Sequence, residues 1–455
     1  MKTTTLETPV RPTARRVVAA LGVALTLAGC DAARGAPASP VSHAVPEAMP
    51  AAGMASGTGP RALCAAAPAG ATSLDVALRD QVRRSAQAPE SIEPWLALGG
   101  IWVQKARATS DPGFYVNANA CADAVLALSP GNRLAEDLRG FSYLNDHRFR
   151  DARELATAVL AREPDDATAW GTLSDAELEL GNVAGAEHAA QRMLDLKPSL
   201  ASYGRAAYLR WLRGDVASAK RLGGSAIRAG REAKDREPLA WAIVQAALVF
   251  WHEGDYDGAR AGFDLALGES PGYAPALVGK ARVALASGRY AEAATDLEHA
   301  FATAPLVETA WLLGDAKRLA GDTAGAEVAY ATVVTRGRLH DPRTLSLFLS
   351  AHHRGAAEAV SLARAELARR PGPYTSDALA WALYRAGELV EARRLADPIV
   401  ELGVHDARLL FHAGAIRMAS GDASGKKLVE RALSLNPAFD VVEAEEARRL
   451  VPHDA

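Results

Sequence analysis

Small and apolar residues recur along the chain with a period of about 34 residues, beginning near Ile92. Within each period, apolar positions three and four residues apart predict two amphipathic helices. A turn residue separates the two helices and recurs at intervals of 34, 33, 40, 34, 33, 34, 32 and 34 residues, at His147, Gly181, Gly214, Gly254, Gly288, Gly321, Gly355, Gly387 and Gly421. A regular period of this length predicts a solenoid of stacked units.

Each recurring position has a physical role. The turn glycine ends the first helix because it adopts the left-handed conformation at low cost. The residue seven positions before most turns is small, and the residue five positions after most turns is alanine, as at Ala186 and Ala326. Small side chains at both positions predict a close helix crossing. Phe348 stands where a small residue is expected, so the eighth unit is predicted to depart from the pattern.

Two units show the repeat most clearly. One carries Trp311, Gly314, Gly321, Ala326 and Tyr330, and another carries Trp170, Leu173, Gly181, Ala186 and Pro198. This pattern resembles the tetratricopeptide repeat (TPR), and the resemblance covers roughly residues 92–439. It implies an all-α fold, a right-handed superhelical solenoid of about ten helix-turn-helix units.

A terminal repeat needs a capping helix because it otherwise exposes its stacking face. At the N-terminal end, residues 73–91 are predicted to form a cap with a helix from Leu74 to Ser85 and Ser73 as its N-cap. At the C-terminal end, residues 440–455 are predicted to form a cap helix, from Val441 to Leu450, and a tail.

Residues 1–29 have the pattern of an export signal. Basic residues precede an apolar run from Val17 to Leu27, which is too short for a transmembrane helix. The run closes on Leu27-Ala28-Gly29-Cys30, which resembles the lipobox of bacterial lipoproteins and implies a lipid on Cys30. An ordinary secretory signal with a chance cysteine is the alternative. The Arg15–Arg16 pair also fits a twin-arginine route, which the following residues favour less than the general secretory route.

Residues 30–72 are rich in Ala, Pro and Gly and predict a flexible tether. With the lipid anchor, these features predict a membrane protein of the cell envelope that faces the periplasm or the outside. Asp31 resembles an inner-membrane retention signal and weakly favours that membrane. Cys64 and Cys121 remain once Cys30 carries a lipid. Exported compartments permit disulfides, so the two either form a bridge or are free thiols.

Composition adds no sign of catalysis. The chain has 455 residues, a net charge of -3 and 23% charged residues, and it lacks the basic excess typical of nucleic-acid binding. It contains no Gly-rich phosphate loop, no His-Glu-x-x-His and no Gly-x-Ser-x-Gly motif. His352 and His353 are adjacent rather than one helical turn apart, which favours a turn over a metal site. We expect no enzyme activity, no cofactor, no metal, no nucleic-acid partner and no small-molecule substrate.

In the TPR family the first helices line a concave groove that binds peptides. The resemblance places ten residues in this groove: Tyr208, Trp211, Trp241, Trp251, His252, Arg282, Trp311, Asp315, Trp381 and Tyr384. Aromatic residues and arginine are common interface anchors, although several of these tryptophans could instead belong to the core. The predicted function is a lipid-anchored scaffold that binds proteins or peptides in the cell envelope. The alternative is a pilotin-like assembly subunit of a secretion, pilus or outer-membrane machine, and a carbohydrate-binding or enzymatic role would require a deep polar pocket.

Overall fold

The computed structural model describes residues 59–66, 70–109, 111–233 and 235–452. The predicted signal peptide, Cys30 and most of the predicted tether lie outside these residues. The described part of the chain is all-α and contains no strand, as the periodicity predicts. Two helices, α1 (Pro60–Cys64) and α2 (Ser73–Gln87), precede ten helix pairs, and α23 (Glu443–Leu450) follows them.

Each of the ten units consists of a first and a second helix. The first helices are α3 (Ile92–Thr109), α5 (Arg133–Asn145), α7 (Ala167–Glu179), α9 (Leu200–Leu212), α11 (Arg236–His252), α13 (Ala274–Ala286), α15 (Val307–Leu319), α17 (Pro342–Ala351), α19 (Pro373–Arg385) and α21 (Ala407–Ala419). The second helices are α4 (Phe114–Leu128), α6 (Phe149–Arg162), α8 (Val183–Leu196), α10 (Val216–Ala233), α12 (Tyr256–Glu269), α14 (Tyr290–Thr303), α16 (Thr323–His340), α18 (Ala356–Arg369), α20 (Leu389–Glu401) and α22 (Ser424–Leu435). The prediction of about ten units is confirmed.

The expected irregularity at Phe348 was a register error. The hydroxyl of Ser346 donates to the carbonyl of Ala359 at 2.8 Å, just as the hydroxyl of Ser174 donates to the carbonyl of Ala186 at 2.9 Å. Ser346 is therefore the small residue at this helix crossing, and Phe348 is a core residue. The left-handed residue seven positions after Ser346 is His353 (φ 53°), and the turn holds extra residues before α18 begins.

Close packing at the helix crossings makes them sensitive to bulk. Ala326 is buried on α16, and we expect Ala326→Leu to lower the free energy of unfolding by about 1–3 kcal/mol through overpacking. Val328, two residues away on the same helix, is 70% exposed, so Val328→Leu is the matched control. Urea denaturation of both variants measures the difference, and equal stability of the two would contradict the assigned helix crossing.

The start of the described chain departs from the predicted tether. Pro60–Cys64 forms α1, and a disulfide joins Cys64 to Cys121 on α4. The indole of Trp102 also donates to the carbonyl of Cys64 at 2.9 Å. Residues 59–66 are therefore attached to the first unit. The N-cap of α2 is Thr72 rather than Ser73, because the Thr72 hydroxyl accepts the backbone N–H of Asp75 and the Asp75 carboxylate accepts that of Thr72.

The solenoid also contacts itself along a surface that we call the seam. On one side of the seam are units 3–5, residues 167–269. On the other side are the segments that follow the second helices of units 8, 9 and 10, beginning at residues 370, 402 and 436. The backbone N–H of His405 donates to the carbonyl of Leu212 at 3.0 Å. The amide of Asn436 donates to the carbonyl of Trp251 at 2.8 Å and accepts the hydroxyl of Tyr256 at 2.7 Å. Successive turns of the superhelix therefore touch one another.

Packing along the seam is close. Gly372 lies against the backbone of α7, where an added Cβ would be 2.9 Å from the carbonyl oxygen of Leu178. Near Tyr208 and Tyr374, the remaining space is about 10 Å³, room for roughly one water molecule. One hydrophobic cluster contains residues from both sides, including Trp211 and Trp381. The early and late units thus share a core.

Candidate functional site

The structure places the predicted groove tryptophans in the interior. They lie on first helices, as the repeat register requires, but each is at most 4% exposed: Trp211, Trp251, Trp311 and Trp381. These four tryptophans are therefore core residues in the structure and not exposed anchors. Trp211 and Trp381 belong to the hydrophobic cluster that spans the seam. Trp251 and Trp311 are buried in clusters formed mainly by their own unit and the unit that follows it.

The remaining predicted groove residues also pack within the array. His252 lies against Trp211 with ring centroids 4.2 Å apart, and burial lowers its pKa to about 4. Burial likewise raises the pKa of Tyr208, whose hydroxyl bonds to Tyr374. Trp241 covers Gly204, where an added Cβ would approach its ring to 3.2 Å. These contacts assign the three side chains to packing.

Arg282, Asp315 and Tyr384 have partners within the chain. Arg282 donates to Glu308 at 2.7 Å, and the fully buried carboxylate of Asp315 accepts the Tyr330 hydroxyl at 2.7 Å. Tyr384 stacks on Trp381 with ring centroids 4.8 Å apart. The predicted groove residues therefore have partners within the chain, in several separate clusters, and do not form one exposed site.

A buried ionic cluster joins the last units to α23. His412 on α21 lies 2.9 Å from Asp377 on α19 and 3.1 Å from Glu443 on α23. Burial alone would lower the pKa of His412, but the two carboxylates raise it to about 9. The imidazole is therefore protonated at neutral pH and pairs with both anions.

Arg408 extends the same cluster. It donates to Asp440 at 2.9 Å and lies 3.2 Å from Glu443, with its guanidinium 5.4 Å from the centre of the Trp311 ring. Burial opposes its charge, but Glu443 and Asp440 raise its pKa. The cluster connects two basic side chains to three carboxylates, with Glu443 shared between His412 and Arg408, which is the arrangement of a structural ion network.

An open depression lies on the outer side of units 3 and 4, and we call it the outer cleft. It has a volume of about 860 Å³ between α8, the end of α9 and α10. Gln191, Leu194, Arg210, Lys220, Arg221 and Arg228 are among the residues that line it. Gly224, which has no side chain, and Ser225 also line it, so the basic groups are not crowded by bulky neighbours at these positions.

The outer cleft is electropositive. From Lys220 to Arg231 the helix α10 carries four basic residues and no acidic one, while the whole chain has a net charge of -3. Asp215 also lines the cleft, and hydrogen bonds from the hydroxyl and the backbone N–H of Ser218 lower its pKa. The run of basic residues is visible in the sequence, but it occurs in one unit only, so the repeat pattern does not single it out.

Two further observations bear on chemistry and membrane insertion. Within the described ranges, no group of three or more His, Cys, Asp or Glu side chains is placed to hold a metal ion. His352 instead packs against Phe348, with ring centroids 4.7 Å apart, and lies 3.3 Å from Asp315. No helix that the structure describes is both long and apolar enough to cross a membrane.

Two family models match the chain, both described as tetratricopeptide repeat. One covers residues 138–201 and the other residues 250–308. No curated protein matches the chain. Helical-repeat structures of other proteins resemble it at low sequence identity.

Three of these structures illustrate the range. The pilus biogenesis factor PilW is 15% identical with a TM-score of 0.39, covering 45% of this chain and 93% of PilW. A tetratricopeptide repeat protein from Parabacteroides merdae is 18% identical with a TM-score of 0.41, covering 55% and 97% of the two chains. A human IFIT1 dimer with PPP-AAAA is 14% identical with a TM-score of 0.46, covering 80% and 87%. At these TM-scores, none of the three carries an inference about binding.

The family assignment depends on the repeat itself. Nine of the ten helix pairs have a left-handed residue in the turn between their two helices, and both matching models describe one repeat. Such folds typically serve protein–protein interaction without catalysis. The chain therefore contains tetratricopeptide repeats, which the family models match at residues 138–201 and 250–308.

Proposed function

We propose that the chain is a lipid-anchored scaffold of the bacterial cell envelope that holds partner proteins on its outer surface. The observation that carries this proposal is the seam. Because the groove tryptophans are buried, two of them in the cluster that spans the seam, the second helices and the outer cleft are the surfaces through which we expect a partner to bind. A rigid body with touching superhelical turns presents these surfaces in a constant arrangement.

The disulfide supports an exported location. Disulfides persist in oxidising compartments such as the periplasm and are rare in the cytosol. The bond between Cys64 and Cys121 ties the beginning of the described chain to the first unit. It therefore agrees with the export signal and lipobox expected in residues 1–30.

Because the disulfide attaches α1 to the first unit, only the residues between Cys30 and α1 can act as a tether. Twenty-nine residues separate Cys30 from Pro60, where α1 begins. A fully extended chain of that length spans at most about 100 Å. The proposed lipid would therefore keep the array near the membrane while allowing it to reach partners away from the surface.

Lipidation of Cys30 is the first test. We expect Cys30→Ser to abolish labelling by palmitate and to move the protein from the membrane fraction to the soluble fraction. Asp31→Ala keeps the cysteine and is the matched control, which should retain the label. A wild-type protein that takes up no palmitate would exclude the lipid anchor.

Partner capture is tested separately by photo-crosslinking in intact cells. A crosslinking amino acid on a second helix, for example at Leu222, should trap a reproducible set of envelope proteins identified by mass spectrometry. The same amino acid at the buried position Phe348 provides the background. Crosslinks no more abundant at Leu222 than at Phe348 would contradict binding through the outer surface.

A further inference from the structure

We propose that the outer cleft binds an acidic peptide segment of a partner protein. This inference depends on the proposed scaffold function and specifies the chemistry of one of its binding sites. It places that site between the second helices of units 3 and 4, on the opposite face of the repeat from the predicted groove.

The arrangement of charges on α10 is the main observation. Ser218, Arg221, Ser225 and Arg228 follow one another at intervals of three, four and three residues, so they share one face of the helix. Arg221 donates to Ser218 at 2.7 Å and Arg228 donates to Ser225 at 2.8 Å. Both guanidinium groups are thereby oriented by neutral hydroxyls, and neither forms an ion pair with a carboxylate. Asp215, in the same lining, offsets part of the charge of Arg210 and Arg221 from beyond ion-pair distance.

Most other exposed arginines of the array have a carboxylate partner, as Arg354 has Glu327 at 2.9 Å. In the part of the chain that the structure describes, Arg210, Arg221 and Arg228 have no carboxylate within ion-pair distance. Their exposure keeps desolvation small. Carboxylates of a ligand can form charge-assisted hydrogen bonds with these groups, and arginine is well suited to carboxylate recognition.

The spacing and shape favour a peptide. Seven residues separate Arg221 from Arg228, which corresponds to about 10 Å along the helix axis. An extended peptide in the polyproline II conformation places every third side chain on one side, about 9 Å apart. Leu194 and Leu222 add apolar surface beside the basic groups. The cleft is an open depression, so an extended segment of a partner can lie along it.

The comparison with other units singles out this site. The positions of Lys220, Arg221 and Arg228 in the repeat correspond to Glu187, His188 and Asp195 in the preceding unit. In the following unit they correspond to Arg260, Ala261 and Gly268. The concentration of positive charge is thus a feature of one unit and is not required by the repeat.

Fluorescence anisotropy with a labelled hexaglutamate peptide tests the proposal. We expect binding that weakens at least fivefold between 50 and 300 mM salt, because exposed charges are screened. Arg221→Glu with Arg228→Glu should reduce affinity at least tenfold. Arg260→Glu with Arg394→Glu is the matched control, since it changes the same net charge at exposed second-helix positions, and it should alter affinity less than twofold.

The other outcomes would overturn the site. Equal weakening by both double variants would indicate a nonspecific effect of net charge, and absence of binding to the wild type would exclude an acidic peptide. Displacement of the peptide by phosphatidylglycerol vesicles, but not by phosphatidylcholine vesicles, would assign the cleft to anionic lipid. Unchanged thermal melts must accompany the loss of binding. If the Arg221→Glu and Arg228→Glu double variant still traps its partners at full yield in the photo-crosslinking experiment, the cleft is excluded as the binding site of these partners. The scaffold function would stand after that result.

Discussion

Replacing Trp381 with alanine should lower the free energy of unfolding by about 3–5 kcal/mol. Trp381 is fully buried on α19, where its ring stacks on His412 and Tyr384 at centroid distances of 4.0 and 4.8 Å. It also belongs to the hydrophobic cluster that spans the seam. Removing the ring would open a cavity between units 9 and 10, and the helices around it could close that cavity only partly.

Urea denaturation followed by circular dichroism measures this loss. Val390→Ala is the control, because Val390 lies on the next helix and is 89% exposed, so its truncation should change stability by less than about 0.5 kcal/mol. A Trp381→Ala protein of normal stability that fails to capture its partner would restore the groove-anchor interpretation. Lost stability with undiminished binding by the folded fraction would agree with the core position seen in the structure.

The fold could be predicted because its determinants are local. A unit of about 34 residues contains its own turn, crossing residues and helix pair, so self-similarity in the sequence was enough to count ten units. The register error at Phe348 arose from turn length. Glycine marked most turns, but histidine takes the left-handed position at His147 and His353, and the extra residues after His353 made Gly355 look like the equivalent turn residue.

The burial of the groove could not be predicted in the same way. The hydrogen bond between Leu212 and His405 joins residues nearly two hundred positions apart, and it depends on the accumulated small rotations between successive units. The sequence around Trp211 follows the repeat pattern equally well if this residue lines an open groove or lies buried at the seam. The disulfide was likewise one of two alternatives, because spacing between Cys64 and Cys121 says nothing about their separation in space.

The outer cleft could not be predicted for a different reason. A repeat pattern is defined by positions that all units share, whereas the residues of the cleft are those that differ from their counterparts. The basic run on α10 has no period. Lys220 packs over the ring of Phe250, at 4.2 Å from its centre, whereas Arg221 and Arg228 are exposed. In a solenoid, the departures from the repeat that lie on the surface are therefore the better guide to a binding site, while aromatic residues in the shared register more often fill the core.

The ionic cluster gives the second large effect: His412→Leu should destabilise the protein by about 3–5 kcal/mol. The histidine is completely buried between Asp377 and Glu443, so its removal would leave Asp377 without its 2.9 Å partner. Glu443 would retain Arg408 at 3.2 Å. Changing Asp377→Leu together with His412→Leu removes the unpaired anion, and this double variant should recover much of the lost stability.

The pH dependence separates loss of charge from loss of packing. The folded-state pKa of His412, about 9, lies above its ordinary value of 6.5, so the protonated form favours folding. Its contribution is complete below pH 6.5 and disappears as the pH rises to 9, a change of roughly 3 kcal/mol. The stability difference between the wild type and His412→Leu should therefore shrink over this range. A difference that stays constant from pH 6.5 to 9 would mean that His412 is neutral in the folded protein and that the cluster is held by packing and neutral hydrogen bonds.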